Sequence, residues 1–146
     1  MKICIVSSCG GHLTEVRVLK PAFEVHEHFY VLNDRVSLPE DMRERTSFIK
    51  HSERDWLFLF NLWEAWKILR KEKPDLILST GAGPAVPFAI VGKVLSVPNI
   101  FIETFTRVSK PSLSGRIMYR LADRFFYQWR SLEKFFPDGV YAGPLV

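Results

Sequence analysis

Two glycine-rich segments of the sequence, each directly after a short apolar run, carry residue types that suit anion binding. The first, SSCGGH, begins at Ser7 and supplies Ser8, Gly10 and Gly11 just before a predicted helix. Glycines let backbone amides approach an anion closely, and the positive end of a helix dipole favours negative charge there. The second segment, STGAGP, also places glycines after an apolar run and before a predicted helix. Its candidate ligands are Thr80, Gly81, Ala82 and Gly83.

Neither glycine segment matches a standard nucleotide motif, because there is no G-K-[ST] and no clean G-x-G-x-x-G. A single glycine turn is most often only a turn. Two such turns at the ends of two strands are stronger evidence for a ligand the size of a diphosphate.

A histidine and a glutamate are the candidate catalytic residues. His12 closes the first glycine segment and could act as a general base or phosphate partner, or could merely cap its helix. Glu103 ends an apolar run, and its carboxylate would either bind sugar hydroxyls or pair with Arg107. We take Arg107 as a further candidate ligand of phosphate.

Metal and cofactor chemistry receive little support from the sequence. Cys4, Cys9 and His12 form a C-x4-C-x2-H pattern that lacks a fourth ligand and the usual spacing, so no metal site and no cofactor are predicted. Two close cysteines make a poor disulfide framework and favour a reducing compartment. The absence of a D-x-D motif argues against a sugar transferase that holds its nucleotide through a metal.

The elements that would position these residues alternate between strand and helix. Strands are predicted at Lys2–Ser7, His28–Leu32, Thr46–Lys50, Asp75–Ser79, Asn99–Glu103, Arg124–Gln128 and Gly139–Ala142. Helices are predicted at Leu13–Lys20, Asp55–Lys73, after the second glycine segment, and at Ser112–Ala122 and Ser131–Phe136. This order predicts an α/β fold: one Rossmann-like parallel sheet with helices on both faces, a single domain over residues 1–146. Because ligands lie beyond the carboxyl ends of such strands, SSCGGH, STGAGP and ETFTR should share one edge.

The helix predicted at Asp55–Lys73 is unusually aromatic and contains three of the four tryptophans. A period of about 100° per residue predicts one core-facing stripe. The stripe comprises Phe58, Leu59, Leu62, Trp63, Ala65, Trp66 and Leu69. Trp56, Leu57 and Phe60 fall outside it, so the first turn is apolar almost all round, with basic residues further along. Such a tip suits contact with an anionic membrane, and the alternatives are a protein partner or plain core.

The charge balance also favours an anionic partner. The chain has a net charge of +4. The positive excess is concentrated between Arg107 and Lys134, a stretch that contains seven Lys and Arg residues and two acidic residues. This stretch is either a solvated face or a surface that meets phosphates of a lipid or of the substrate. No signal peptide and no membrane-spanning run is visible, so we expect a cytoplasmic protein that is at most peripheral on the inner face of the cell membrane.

Several long motifs together resemble a known family. SSCGGHLTEV, STGAGPAVPFAIVGKVL, IFIETFTRVSKPSLSGRIMYRLADRFFYQW and YAGPLV are similar to the PssD/CpsF-type bacterial polysaccharide-biosynthesis proteins. These are similar in turn to the membrane-side subunit of the two-subunit N-acetylglucosaminyltransferase of N-glycan assembly, asparagine-linked glycosylation protein fourteen. A more distant resemblance is to the N-terminal domain of MurG, a GT-B glycosyltransferase.

This resemblance implies the N-terminal, acceptor-binding half of a GT-B enzyme whose UDP-sugar site lies on a separate chain. The implied acceptor is a polyprenyl-diphosphate-linked sugar, and the implied reaction inverts the anomeric carbon without a metal. The MurG pattern of a glycine turn ending in histidine maps onto Gly10, Gly11 and His12, and the second glycine loop maps onto residues 80–83. Eukaryotic members carry an N-terminal membrane helix, whereas this sequence begins at the first strand, so we expect the aromatic helix to supply membrane contact.

The expected function is therefore that of the acceptor-binding subunit of a glycosyltransferase for capsule or exopolysaccharide repeat units, inactive without its donor-binding partner. One alternative is a non-catalytic enhancer or scaffold that recruits and stabilises the donor subunit. The other is a stand-alone nucleotide- or nucleic-acid-binding Rossmann module, for which Asn33 and Asp34 are the nearest candidates for a ribose-binding position.

Overall fold

The computed structural model describes residues 1–33, 37–50, 56–81 and 83–146. The strands are β1 (Lys2–Ser7), β2 (Glu27–Leu32), β3 (Thr46–Phe48), β4 (Leu76–Ser79), β5 (Asn99–Ile102), β6 (Arg124–Tyr127) and β7 (Val140–Tyr141). The helices are α1 (Gly11–Val18), α2 (Lys20–Phe23), α3 (Glu40–Arg43), α4 (Trp56–Glu72), α5 (Ala85–Val94) and α6 (Leu113–Leu121), with a 3₁₀ helix at Arg130–Phe135.

The strands form one sheet in the order β3-β2-β1-β4-β5-β6-β7, and every neighbouring pair is parallel. The predicted parallel α/β fold is thereby confirmed. The chain builds outward from β1 in one direction and then crosses to β4 on the other side, so the strand order reverses between these two strands. The crevice at such a reversal is where ligands bind in open α/β sheets, and both glycine segments lead out of these two strands.

The sheet is covered on both faces, which explains why its central strands are apolar at consecutive positions. Ile3 and Ile5 of β1 pack against α1, α2 and α3 on one face. Cys4 and Val6, between them in sequence, pack against α4 and α5 on the other. A third cluster joins α5, α6, β5, β6 and the 3₁₀ helix.

Two short helices were not predicted from the sequence. The predicted first helix ends at Lys20, directly before Pro21. In the structure Pro21 lies in the first turn of α2, where a proline is tolerated because the amide it lacks would have no intrahelical acceptor. The helix α3 is a single turn of four residues and is too short for hydrophobic periodicity to reveal it. Asp34, named above as a possible ribose-binding residue, and Asp55 lie outside the described residues.

The predicted core face of α4 is wrong for three of its residues, because Leu59, Trp63 and Trp66 are exposed. The helix buries Ala65 and Leu69, which the predicted stripe includes, and also Asn61, which it does not. Apolar residues occur on every side of this helix, so periodicity alone does not identify the buried side. The fully buried Ala65 lies where α4 packs against the sheet and α5.

We call the edge of the sheet where β1, β4, β5 and β6 end the rim. The last residues of these strands are Ser7, Ser79, Ile102 and Tyr127. The helices α1, α5 and α6 each begin just beyond one of these strands, so their N-termini all lie at the rim.

Candidate functional site

The N-terminus of α1 is open at the rim. Gly10 stands at the N-cap with φ +94°, a left-handed conformation that favours glycine, and its carbonyl accepts the amides of Leu13 and Thr14. Within the described part of the chain no side chain caps this helix. A Cβ built on Gly10 or Gly11 would meet open space. The first amides of α1 and the positive end of its dipole therefore face a free volume, which suits an anion.

The second glycine segment holds α1 against β4. Thr80 is fully buried, and its hydroxyl donates to the carbonyl of His12 at 3.1 Å. Thr80 was expected to offer its hydroxyl to a ligand, but in this structure the protein itself uses that hydroxyl. Gly81 follows with φ +127°, and the helix α5 begins at Ala85 without a side-chain cap from any described residue. Gly83 is exposed, and Ala82 lies outside the described residues.

The imidazole of His12 lies between the two segments. Its Nδ1 is 3.0 Å from the carbonyl oxygen of Thr80. Because a carbonyl only accepts, this contact assigns the proton of the neutral ring to Nδ1 and leaves the lone pair on Nε2. The ring packs on Gly81, where an added Cβ would lie 2.8 Å from Cε1 of His12. The imidazole contacts Thr80 rather than an amide of α1, so its geometry does not favour the helix-cap role.

Sequence reasoning missed the carboxylate of Glu15, which lies beside His12. Glu15 is fully buried, and its Oε2 lies 3.6 Å from Nδ1 of His12. Its Oε1 accepts from the amide of Phe105 at 2.7 Å and from Nε2 of Gln128 at 2.8 Å. The available signal was the spacing, since residues three apart share a helix face and an acidic residue here follows the histidine by three.

Glu103, the other candidate catalytic residue, is fully buried behind the start of α6. Its Oε1 accepts from the Ser112 hydroxyl at 2.7 Å and from the Thr104 amide at 3.2 Å, and its Oε2 accepts from the Ser112 amide at 3.2 Å. Ser112 in turn caps α6 by accepting from the amide of Gly115 at 2.8 Å. Burial raises the pKa of the Glu103 carboxyl above its ordinary value, while the hydrogen bonds from Ser112 and Thr104 and the charge of Arg107 oppose that rise. These contacts fit a structural role in closing α6, and a catalytic role for Glu103 stays a prediction.

The remaining rim candidates lie nearer the solvent. Arg107 is exposed, and among the described residues it forms no ion pair within 4 Å, so the direct pairing with Glu103 that was one expectation is not seen. Ser8 is half-buried, and its carbonyl accepts from the Ser7 hydroxyl at 2.9 Å. In the described ranges, no three His, Cys, Asp or Glu residues lie together as a metal site would require.

The outer face of α4 presents a stripe of aromatic and basic side chains, which we call the aromatic stripe: Trp56, Leu59, Phe60, Trp63, Trp66, Lys67 and Arg70. Trp56 is 84% exposed and Trp63 52%, whereas Phe60 is half-buried. Lys67 lies 4.4 Å from the ring centre of Trp63. Leu57, also predicted to contact the membrane, is exposed beside Trp56. In the part of the chain that the structure describes, no helix has the length and apolar character needed to cross a bilayer.

The seven-stranded parallel sheet with helices on both faces has the Rossmann-like fold of a GT-B domain. Solved structures show the same fold. One is MurG from Acinetobacter baumannii, with a TM-score of 0.72 at 12% identity over 87% of this chain. Another is a complex of Staphylococcus aureus MnaA with UDP, with a TM-score of 0.74 at 15% identity over 94% of this chain. The chain spans about two fifths of the length of these proteins, 41% and 40%.

The family model described as oligosaccharide biosynthesis protein Alg14 like matches residues 54–145, and the chain belongs to this family. The UDP-N-acetylglucosamine transferase subunit ALG14 of Rattus norvegicus is 27% identical over 99% of this chain and 82% of its own length. A Nitrosospira multiformis protein is 32% identical over 62% of this chain and 26% of its own length. Its name is UDP-N-acetylglucosamine--N-acetylmuramyl-(pentapeptide) pyrophosphoryl-undecaprenol N-acetylglucosamine transferase.

Proposed function

We propose that this chain is the acceptor-binding subunit of a two-chain glycosyltransferase. The enzyme would transfer a sugar from a UDP-sugar to a polyprenyl-diphosphate-linked sugar in capsule or exopolysaccharide synthesis of the PssD/CpsF type. The observation that carries this proposal is the open N-terminus of α1 at the rim, which the hydrogen bond from His12 to Thr80 holds beside the second glycine segment. A diphosphate needs two adjacent anion sites, and we propose that the N-terminus of α1 provides one and the second glycine segment the other.

The names of the relatives support the substrate class. The rat relative is named as a transferase subunit for N-acetylglucosamine, and the Nitrosospira relative is named for an undecaprenol-linked pyrophosphoryl acceptor. Both names combine a UDP-sugar donor with an N-acetylglucosamine transfer. For this chain we therefore propose UDP-N-acetylglucosamine as the first donor to test.

The proposed reaction uses the free nitrogen of His12. The acceptor hydroxyl oxygen attacks the anomeric carbon of the donor sugar, and its proton passes to Nε2 of His12. The bond from the anomeric carbon to the β-phosphate oxygen breaks, and UDP leaves with that electron pair. Attack from the side opposite the leaving group inverts the anomeric carbon. The amides of Gly11 and His12, the Gly81–Gly83 loop, Ser8 and Arg107 are the proposed ligands of the acceptor diphosphate.

The donor site is proposed to lie on a separate chain. The solved GT-B proteins that share this fold are more than twice as long as the part that matches. The rat relative, by contrast, is named a subunit and matches over 82% of its length. A donor-binding subunit seated across the rim would bring the anomeric carbon over His12.

The aromatic stripe is the proposed membrane contact. Its tryptophans and Leu59 present apolar surface, and Lys67 and Arg70 place positive charge beside it, the combination that suits an anionic membrane surface. The helix α4 runs antiparallel to the strands and begins at the rim, so the stripe would hold the acceptor site close to the lipid that carries the acceptor. We therefore propose that the subunit lies at the inner face of the cell membrane.

Reconstitution tests the proposal. The purified chain, its candidate donor subunit and the mixture are assayed with UDP-N-acetylglucosamine and a short polyprenyl-diphosphate-linked N-acetylglucosamine. We expect turnover only in the mixture. Turnover by this chain alone would contradict the two-chain arrangement. Turnover that needs this chain but is indifferent to His12→Ala would favour the scaffold. Tight binding of UDP by the isolated chain would favour a nucleotide-binding module.

A further inference from the structure

The buried carboxylate of Glu15 is held in one orientation by two donors from other elements. Its Oε1 accepts from the Phe105 amide at 2.7 Å and from Nε2 of Gln128 at 2.8 Å. Gln128 is itself fully buried, and its Nε2 also donates to the carbonyl of Glu103 at 2.9 Å. The amide oxygen of Gln128 accepts from the amide of Leu145 at 2.8 Å. The loop after β5, the end of β6 and the C-terminal segment therefore fix the direction of this carboxylate.

The second oxygen of Glu15 is the unusual feature. Oε2 is buried and has no hydrogen-bond partner among the described residues, yet it lies 3.6 Å from Nδ1 of His12. A buried carboxylate oxygen without a partner is costly, because it loses its hydration and gains nothing in return. Such an oxygen, aimed at an imidazole that is proposed to take up a proton, would gain a charged partner at that moment.

Among the described residues, no other charged group forms a hydrogen bond or ion pair with His12 or Glu15. On the elements that pack around it, the charged side chains nearest in sequence are Arg17 on α1 and Glu103 and Arg107 after β5. Among the described residues, none of these three forms a hydrogen bond or ion pair with His12 or Glu15. The side-chain hydrogen bonds of the pair among the described residues are to the Thr80 carbonyl, the Phe105 amide and the Gln128 side chain, and the His12 ring also packs on Gly81.

We propose that Glu15 is a positioning residue for His12, an inference that rests on the proposed function. In the neutral state the Nδ1 proton lies between the Thr80 carbonyl and Oε2 of Glu15, which keeps the Nε2 lone pair directed at the acceptor hydroxyl. When Nε2 takes the hydroxyl proton, the ring becomes an imidazolium, and the fixed negative charge of Glu15 stabilises it. The logic matches that of a buried aspartate behind a catalytic histidine, on an unrelated fold.

Glu15→Gln separates this role from simple packing. The Phe105 amide and the Gln128 Nε2 both need an acceptor, so the new amide must place its oxygen where Oε1 stood. Its NH₂ group then points at Nδ1 of His12, where it repels an Nδ1 proton and favours the tautomer with the proton on Nε2. That tautomer has no free lone pair to accept a proton from the substrate.

The first measurement uses the isolated full chain and requires no activity. Imidazole ¹⁵N chemical shifts report which nitrogen of His12 carries the proton. We expect the Nδ1–H tautomer in the parent and a shift toward Nε2–H in Glu15→Gln. Met42→Ala, a core truncation on α3 away from the rim, is the control for destabilisation alone and should keep the parental tautomer.

The second measurement uses the reconstituted two-chain enzyme. We expect Glu15→Gln to lower kcat by about 10²-fold, the size of a general-base contribution, while KM for the acceptor stays within about twofold. Glu15→Asp keeps the charge and should recover part of the loss. If Glu15→Gln does not fold, Glu15→Asp alone tests the idea, because its longer distance to His12 should lower kcat about tenfold, and parental kcat would overturn the inference.

The outcomes separate this inference from the proposed function. A folded Glu15→Gln with parental tautomer and parental kcat, alongside an inactive His12→Ala, would overturn the role of Glu15 and leave the function standing. A shifted tautomer in Glu15→Gln with parental kcat in both variants would overturn His12 as the base, while the pairing of the two residues would stand.

Discussion

The rim has two sides, which differ in how their helix N-termini are capped. On the side of α1 and α5, each helix begins after a glycine segment, and no described side chain caps either N-terminus. On the side of α6, the N-terminus is capped by Ser112, and the Glu103 carboxylate binds that cap from behind. The Ser112 cap and the Glu103 carboxylate thus offset part of the positive end of the α6 dipole inside the protein. On the side of α1 and α5 no described side chain provides such a cap, which leaves the N-terminus of α1 suited to an external anion.

The two buried glutamates repeat this contrast. Both are fully buried, Glu15 on the helix that follows β1 and Glu103 directly after β5. Three donors bind the two carboxylate oxygens of Glu103, so this carboxylate stabilises local structure. Glu15 has two donors on one oxygen and leaves the other beside His12. Burial of a charge therefore says little about catalysis until the partners of each oxygen are known.

The largest expected effect is at His12. We call the α1 and α5 side of the rim the open side. If it is the acceptor site, His12→Ala should lower kcat of the two-chain enzyme by about 10²-fold or more, with a smaller change in KM for the acceptor. His26→Ala removes a histidine at the opposite edge of the sheet and should leave kcat unchanged. A rise in KM with little change in kcat would instead make His12 a diphosphate ligand.

On the α6 side of the rim, the closed side, we expect a substitution to change the stability of the protein. In Glu103→Gln, the amide NH₂ faces a hydrogen-bond donor of Ser112, so we expect the free energy of unfolding to fall by about 1–3 kcal/mol in denaturant titrations. Parental stability would show that the cap does not depend on this carboxylate.

Glu103→Gln should also change how the stability of the protein depends on pH. Burial raises the pKa of Glu103, so the folded protein binds this proton more tightly than the unfolded chain does. Stability contributed by this group therefore falls as pH rises from the ordinary glutamate value to the raised one. Glu103→Gln should remove that part of the slope, which unfolding measurements between about pH 4 and pH 7 would detect.

A smaller effect is expected from Gly81→Ala on the open side. The added Cβ would lie 2.8 Å from the His12 ring at a position with φ +127°, so the imidazole must move. We expect kcat to fall about tenfold, because modest misplacement of a reacting group is enough for such a loss. Gly11→Ala is the matched control, since its Cβ meets open space in the free protein and should raise acceptor KM rather than lower kcat.

The smallest effect concerns the aromatic stripe. Trp56→Ser with Trp63→Ser should reduce co-sedimentation with phosphatidylglycerol-containing vesicles roughly fivefold to tenfold, because part of each exposed ring is lost from the lipid interface. Val25→Ser with Val94→Ser removes exposed apolar side chains at the opposite edge of the sheet and should bind like the parent. Parental binding by the tryptophan variant would indicate that the stripe faces a protein partner.

The sequence predicted the strands well and the side-chain environments poorly, for physical reasons. Strands such as β1 and β4 are short apolar runs between turn residues, and that local signal is enough to place them. The buried side of α4 is set by its packing against the sheet and α5, which no local pattern encodes. The burial of Glu15 depends on Phe105 and Gln128, which lie 90 and 113 residues away in the chain.

The most direct test of the contrast is a titration of the ¹⁵N-labelled chain with inorganic pyrophosphate, followed by backbone amide shifts. The account predicts the largest shifts at Gly11, His12 and the start of α5, with Leu113 and Ser114 at the start of α6 unchanged. Shifts at α6 equal to those at α1, or no shift at α1 at concentrations that saturate the protein, would contradict the assignment of the open side of the rim as the diphosphate site.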